Sequence, residues 1–196
     1  MLEKHFGAVT SIQLCPDSVN STYARRGAPG ELPVYVSSGR DSMLNLWNQH
    51  GECVGTQAAH RGVVNCISAV KPDSSIGYAP QGSSLMFSAG SDGLLKLWDL
   101  KRLKVISELQ SGVVGKLVWF GQSLVTGGTN GSVKFWTCRG AGSGVGNDSG
   151  AGEASWYRDW SGRDIACHTQ GCVDLVASDR FLCSASKSGQ MYVWCK

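Results

Sequence analysis

Four segments of this 196-residue chain repeat one pattern, and that repetition constrains the fold more than any other feature. Each segment ends in tryptophan, carries Ser or Thr ten residues earlier, and places a polar residue six residues before the tryptophan. Alternating polar and apolar residues before the tryptophan indicate a strand, and the polar residue with a following Gly or Ser indicates a tight turn. The segments are residues 36–47, 87–98, 125–136 and 183–194.

A shorter apolar pattern precedes each of these segments and predicts another strand. In each, two apolar residues stand three positions apart; the pairs are Val9 and Ile12, Val64 and Ile67, Val114 and Leu117, and Val173 and Val176. His5 and His60 stand four residues before the first two valines, whereas Gln110 and Thr169 occupy that place in the other repeats.

These residues resemble the WD40 family, and the resemblance covers nearly the whole chain. It implies an all-β propeller built from four-stranded antiparallel blades, in which strands a to d run outward from the axis. We expect one domain over residues 1–196, with four recognisable blades. The repeats span about 5–59, 60–109, 110–168 and 169–196.

The resemblance also implies a buried hydrogen-bonded chain in each blade, formed by His, Ser or Thr, the turn Asp and Trp. The set is complete in the first two repeats: His5, Ser37, Asp41, Trp47 and His60, Ser88, Asp92, Trp98. It is degraded in the other two: Gln110, Thr126, Asn130, Trp136 and Thr169, Ser184, Ser188, Trp194. A Ser-His-Asp catalytic triad is the alternative interpretation, but the recurrence of the set at two sites favours a structural role.

Extra residues fall in three places, since the tryptophans Trp47, Trp98, Trp136 and Trp194 are 51, 38 and 58 positions apart. Repeats one and two carry Ser18–Leu32 and Ser74–Ser84 between strands a and b. Repeat three carries a flexible glycine-rich insertion at about 138–162 between strands c and d, with strand d resuming near 163–167. Antiparallel alternation puts all three on one face of the propeller, so the opposite face keeps short turns.

The short-turn face is the expected site of protein binding, because family members often use such turn positions. We expect Phe6, Arg40, Arg61 and Lys187 to contact partners there. Trp156 and Trp160 in the third insertion have two interpretations, packing against the propeller edge or anchoring a partner.

The sequence favours a non-catalytic protein-interaction scaffold or adaptor over other functional classes. It carries no HExxH, GxSxG, phosphate loop or zinc-spaced Cys/His set, so we expect no enzyme activity, catalytic residues, metal or cofactor. A net charge of +3 gives no argument for nucleic acid, and no 18-residue apolar stretch predicts a membrane span. Eight scattered cysteines are typical of free thiols, so we expect an intracellular protein, cytoplasmic or nuclear.

Two alternative functions are open at this stage. Trp98-Asp99-Leu100-Lys101 resembles the WDxR motif of ubiquitin-ligase substrate receptors, with Lys in place of Arg. The second alternative is an enzyme with an unrecognised pocket.

Four repeats also predict an open or incomplete propeller, because seven or eight blades of about 40 residues need roughly 280 residues. The last repeat ends after strand c, which leaves strand edges and apolar faces uncovered. We expect a fragment of a longer protein, an incomplete gene product, or a chain completed by a partner or second copy. A small closed four-bladed ring is the alternative.

Overall fold

The computed structural model describes residues 4–15, 33–70, 85–100, 102–138 and 160–195, and the regular elements in these ranges are β-strands. Among them, no helix is long and apolar enough to cross a membrane. Within each of four sheets, every strand pairs antiparallel with its neighbour in sequence, so the strands form four successive meanders. Each meander is one propeller blade.

The first three blades have four strands each and the fourth has three. The first comprises β1 (Val9–Leu14), β2 (Pro33–Gly39), β3 (Met43–Asn48) and β4 (Cys53–Ala58). The second comprises β5 (Val64–Ala69), β6 (Leu85–Gly90), β7 (Leu94–Asp99) and β8 (Lys104–Gln110). The third comprises β9 (Val114–Phe120), β10 (Ser123–Gly128), β11 (Ser132–Cys138) and β12 (Trp160–Cys167). The fourth comprises β13 (Cys172–Ala177), β14 (Phe181–Ser186) and β15 (Met191–Cys195).

Consecutive blades pack face to face, which buries both sides of the inner blades. The two faces follow from strand alternation: along β7, Trp98 points to one side and Leu95 and Leu97 to the other. We call the side with the tryptophan the leading face, and the other the trailing face. The trailing face of each of the first three blades packs on the leading face of the next, forming three apolar clusters.

The b–c turn of every blade is joined to the start of strand a by one backbone hydrogen bond, and these bonds fix the alignment of the repeats. The N–H groups of Arg40, Ser91, Thr129 and Lys187 donate to the carbonyls of Ala8, Val63, Val113 and Gly171, at 2.8–3.1 Å. Strand a therefore begins at Val9, Val64, Val114 and Cys172. The expectation that Val173 corresponds to Val9 is wrong by one residue, because Cys172 and Leu175 have the same three-residue spacing as Val173 and Val176.

The long insertions attach at one edge of the blades, where strand a leads to b and strand c leads to d. The segments 16–32, 71–84 and 139–159 hold most of these insertions and lie outside the described residues. The expected start of strand d near 163 is corrected, since β12 begins at Trp160 and pairs it with Cys138. The third insertion is thus shorter at both ends than 138–162.

Removing residues 140–152 should leave the fold intact, because the paired residues Cys138 and Trp160 already bring the ends of the insertion together. Loop closure entropy changes little with loop length, so the free energy of unfolding should shift by less than about 1 kcal/mol. Urea unfolding of the deletion variant measures this directly. Loss of cooperative unfolding would show that the segment is structural.

Candidate protein-interaction face and its supporting hydrogen bonds

A chain of hydrogen bonds runs from the outer to the inner strands of the second blade. The indole N–H of Trp98 donates to Ser88 Oγ at 2.8 Å, and Ser88 Oγ lies 2.7 Å from His60 Nε2. His60 Nδ1 lies 2.9 Å from Asp92 Oδ1. Since Ser88 accepts from the indole, its hydroxyl donates to Nε2, which leaves Nδ1–H to donate to the carboxylate. Every polar group in the chain therefore has a partner.

Asp92 also holds the backbone around it. Its oxygens accept the N–H groups of Arg61 at 3.0 Å and Leu94 at 3.2 Å. One carboxylate thereby fixes the entry to β5, the b–c turn and the buried His60. The side chain connects the core of the blade to its surface turns.

The pKa values of this pair follow from burial and hydrogen bonding. Burial lowers the pKa of His60, and this outweighs the attraction of Asp92, so the ring is held neutral. Burial raises the pKa of Asp92, but the N–H groups of Arg61 and Leu94 and the His60 ring outweigh it, so the pKa lies below its usual value.

Acid should weaken the fold in two steps. A His60 pKa below that of the unfolded chain means that stability is lost as pH falls below 6.5 towards the folded-state value. A lowered Asp92 pKa means that its contribution is lost as pH falls below 3.8. Urea unfolding at a series of pH values from about 8 to about 5 measures the first step. Replacing His60 with Gln should flatten the dependence, and an unchanged slope would contradict this assignment.

The first blade contains the same chain of hydrogen bonds. Trp47 donates to Ser37 Oγ at 2.7 Å, Ser37 Oγ lies 2.7 Å from His5 Nε2, and His5 Nδ1 lies 2.8 Å from Asp41 Oδ2. Asp41 accepts the N–H of Phe6 at 3.0 Å, as Asp92 accepts that of Arg61. Phe6 and Arg61 therefore occupy equivalent surface positions.

In the third blade the structure brings together only two of the four expected residues. Trp136 donates to Thr126 Oγ1 at 3.0 Å, while Asn130 Oδ1 accepts locally from Ser132. The placement of Gln110 is corrected: it is exposed and lies at the end of β8. The connection into this blade is one residue shorter, so the buried Ser111 takes the histidine position and donates to the carbonyls of Gly93 and Gly112.

The fourth blade does have a histidine at the position that was assigned to Thr169 from the sequence, so that assignment is wrong. His168 is buried and its Nε2 lies 2.7 Å from Ser184 Oγ. It stands four residues before Cys172, as His60 stands before Val64. Counting four residues back from Val173 instead gives Thr169, which is why the sequence pattern pointed to the wrong residue. Thr169 instead donates its N–H and hydroxyl to Gln190 Oε1, at 3.1 Å each.

The fourth blade lacks the carboxylate that ends the chain of hydrogen bonds in the first two blades. Ser188 occupies the Asp position but pairs with Ser186 Oγ at 2.6 Å, and the buried His168 Nδ1 has no hydrogen-bond partner in the described part of the chain. Trp194 packs beside the cluster between the third and fourth blades, and its ring lies 5.8 Å from that of Tyr192. Among the described residues, no hydrogen bond joins it to Ser184.

Replacing Ser188 with Asp should stabilise the fourth blade, because the carboxylate would give His168 Nδ1 the partner that Asp92 gives His60. A hydrogen bond to a charged group contributes about 1.5–3 kcal/mol, from which the cost of burying the carboxylate is subtracted. We expect a net gain of about 1 kcal/mol in urea unfolding. The gain should vanish when His168 is replaced with Gln, and a gain that survives would have another cause.

The Ser-His-Asp set of the second blade is closed to a substrate. Ser88 is fully buried, and its Oγ is occupied by Trp98 on one side and His60 on the other. This geometry serves the fold. In the described part of the chain, no group of three or more His, Cys, Asp or Glu residues is placed to hold a metal ion.

The b–c turns and the connections into strand a form one edge of the blades, which we call the turn face. Phe6, Arg40, Arg61 and Lys187 all lie exposed on it, and Phe6 is 99% exposed. The acidic residues at this edge, Asp41 and Asp92, are held by histidines. The turn face therefore presents an aromatic ring and cations on a backbone fixed by hydrogen bonds.

Of the two tryptophans predicted to pack on the propeller or anchor a partner, the structure describes one. Trp156 lies outside the described residues. Trp160 is buried, and its ring packs edge-on against Phe87 of the second blade at 5.0 Å, so its placement as a partner anchor is corrected.

The WDxR-like motif is largely buried. Trp98 and Leu100 belong to the cluster between the first and second blades, and Asp99 pairs with Arg102 at 3.4 Å. Lys101 lies outside the described residues.

Comparisons with known proteins agree with the blade architecture. Residues 51–99 match the family model "WD domain, G-beta repeat". The chain is 28% identical over 137 residues to the small ribosomal subunit protein RACK1y of Oryza sativa subsp. japonica, covering 68% of this chain and 34% of that protein. It is 39% identical over 90 residues to the ribosome biogenesis protein WDR12 homolog of Chlamydomonas reinhardtii, covering 43% of this chain and 18% of that protein. The chain thus matches about a third or less of the length of these curated relatives.

Two solved structures share the fold over the full length of the chain. The computationally designed Ika4 protein superposes with a TM-score of 0.65 at 17% identity, over 95% of its own chain. The computationally designed Ika8 protein superposes with a TM-score of 0.66 at 18% identity, over 48% of its own chain. The four successive blades form a β-propeller fold, and the second of them is similar to the WD40 repeat.

Proposed function

We propose that this chain is a non-catalytic scaffold that binds other proteins through its turn face. The observation that carries the proposal is the exposed Phe6 on an edge that also presents Arg40, Arg61 and Lys187. Aromatic and arginine side chains supply much of the binding energy at protein interfaces. Each lies on or beside a turn that hydrogen bonds hold in place, so binding costs little ordering of the backbone.

The chemistry of this face favours an acidic partner segment with an apolar side chain. The cations are available, whereas the nearby carboxylates of Asp41 and Asp92 are engaged by His5 and His60. The similar proteins are a small ribosomal subunit protein and a ribosome biogenesis protein, which is compatible with a role in a protein assembly. We place the protein inside the cell, because all eight cysteines are free thiols, as is usual in a reducing compartment.

Quantitative affinity purification of the full chain tests this function. Phe6→Ser, and separately Arg40→Glu with Arg61→Glu, should reduce recovery of the specific partners about tenfold, as expected for loss of a hot-spot contact. Arg180→Glu is the matched control, because Arg180 is exposed in the a–b turn at the opposite edge. Recovery that is unchanged in both turn-face variants, or equally reduced in the control, would contradict the proposal.

A further inference from the structure

The buried histidine of the fourth blade has one ring nitrogen that no described residue uses. His168 is 2% exposed, its Nε2 lies 2.7 Å from Ser184 Oγ, and its Nδ1 has no hydrogen-bond partner in the described part of the chain. The ring of Tyr192 packs against the imidazole at 4.7 Å. Native proteins pair nearly all polar atoms at this depth, because an unpaired one destabilises the fold.

In the first two blades an anionic group meets the same nitrogen. Carboxylate oxygens of the b–c turns lie 2.8 Å from His5 Nδ1 and 2.9 Å from His60 Nδ1. Each carboxylate comes from the b–c turn of the histidine's own blade. The missing partner of His168 is therefore a property of its own b–c turn, where Ser188 takes the place of the aspartate.

Ser188 has the position of the aspartate, lacks its charge, and offers an accessible hydroxyl group. Residues 187–190 of this turn are all exposed. The same position is exposed in the third blade, where Asn130 stands between two other blades, so the exposure belongs to the turn itself. Among the described residues, the hydroxyl of Ser188 bonds within its own turn, with Ser186 at 2.6 Å and Gln190 at 3.2 Å.

Transfer of a phosphoryl group would convert this hydroxyl into the missing anion. In that reaction a bond forms between Ser188 Oγ and the γ-phosphorus of a nucleoside triphosphate, and the bond from that phosphorus to the bridging oxygen breaks. The nucleoside diphosphate leaves, and the hydroxyl proton passes to the catalytic base of the protein kinase. The product carries a charge of about −1.5 to −2 near neutral pH, and its three acceptor oxygens lie one bond farther from Cβ than those of aspartate.

We propose that Ser188 is the target of a protein kinase, and that its phosphate accepts a hydrogen bond from His168 Nδ1 in place of the missing carboxylate. The anion selects the tautomer with the proton on Nδ1, which is the tautomer of His60 in the second blade. The exposed Lys187 lies beside the phosphate and favours its charge. The inference concerns the fourth blade and is independent of the partner that the turn face binds.

Urea unfolding of the full chain, with phosphoserine incorporated at position 188, tests the pairing. The equilibrium constant for unfolding should fall about tenfold, as expected for a hydrogen bond to a charged group. His168→Gln should abolish the gain. Lys187→Gln should keep most of it, which separates pairing with the histidine from attraction to the neighbouring lysine. Phosphoserine at position 178 is the matched control and should give no gain, because Ser178 is exposed in the a–b turn at the opposite edge of the same blade.

The nitrogen chemical shifts of the His168 ring provide a second measurement, which does not require the glutamine variant to fold. Phosphate at position 188 should move the Nδ1 resonance to that of a protonated, hydrogen-bonded nitrogen, whereas phosphate at position 178 should leave it unchanged. An unchanged Nδ1 resonance in the chain phosphorylated at 188 overturns the proposal. A stabilisation that survives His168→Gln overturns it as well.

Incubation of the full chain with ATP and an extract of eukaryotic cells tests whether a kinase reaches the site. Peptide mass spectrometry should find phosphate on Ser188, and Ser188→Ala should remove that signal without changing the phosphorylation of other serines. Phosphorylation should also be reduced in Ser188→Asp, which fills the position with a carboxylate and removes the acceptor hydroxyl. A chain that carries no phosphate on Ser188 after this treatment contradicts the proposal.

Discussion

Replacing Phe87 with Ala is expected to lower the free energy of unfolding by about 3–5 kcal/mol, the usual cost of deleting a buried aromatic ring. Phe87 is fully buried on the trailing face of the second blade. Its ring lies 6.0 Å from that of Trp119 and 5.0 Å from that of Trp160, both in the third blade. The substitution would leave a cavity between two blades and remove two aromatic contacts. Urea unfolding measures the loss.

Phe6→Ala provides the matched control, since it makes the same chemical change at a residue that is 99% exposed. It should change the free energy of unfolding by less than about 0.5 kcal/mol. If Phe87→Ala cost no more than the control, the second and third blades would not be packed as described. Both variants should be compared at one protein concentration, so that any association contributes equally.

Replacing Asp92 with Ala is expected to lower the free energy of unfolding by about 1–3 kcal/mol, because buried donors lose their acceptor. The variant would leave His60 Nδ1–H and the N–H groups of Arg61 and Leu94 without the carboxylate. Trp98→Phe should cost a similar amount, since Ser88 would lose its indole donor and the side chain is nearly fully buried. Thermal or urea unfolding measures both.

Ser188→Ala is the comparison within the same chain. Ser188 holds the equivalent position in the fourth blade, but it is exposed, and its bonds among the described residues are with Ser186 and Gln190. Its replacement should cost less than about 1 kcal/mol. If Asp92→Ala and Ser188→Ala lowered the free energy of unfolding equally, the incomplete hydrogen-bonded set of the fourth blade would stabilise the protein as much as the complete set of the second.

The sequence determined the fold class, the four blades and the residue types of the buried chains. Tryptophan, hydroxyl and turn residue recur at fixed spacing because they lie on one hairpin, where local geometry sets their register. His5 and His60 could be assigned for the same reason, since the first two repeats share the spacing from histidine to strand a. The Gly-rich composition of the third insertion likewise indicated a loop between strands c and d.

Only the tertiary structure decided the features that depend on contacts between hairpins and between blades. A connection one residue shorter puts Ser111 where Gln110 was expected, and the backbone bond from Lys187 to Gly171 shifts the fourth strand a so that His168 replaces Thr169. Trp160 became a core residue because Phe87, on a different blade, provides the surface it covers. Apolar spacing alone cannot distinguish Cys172 and Leu175 from Val173 and Val176, since burial is set by the neighbouring blade and not by the strand itself.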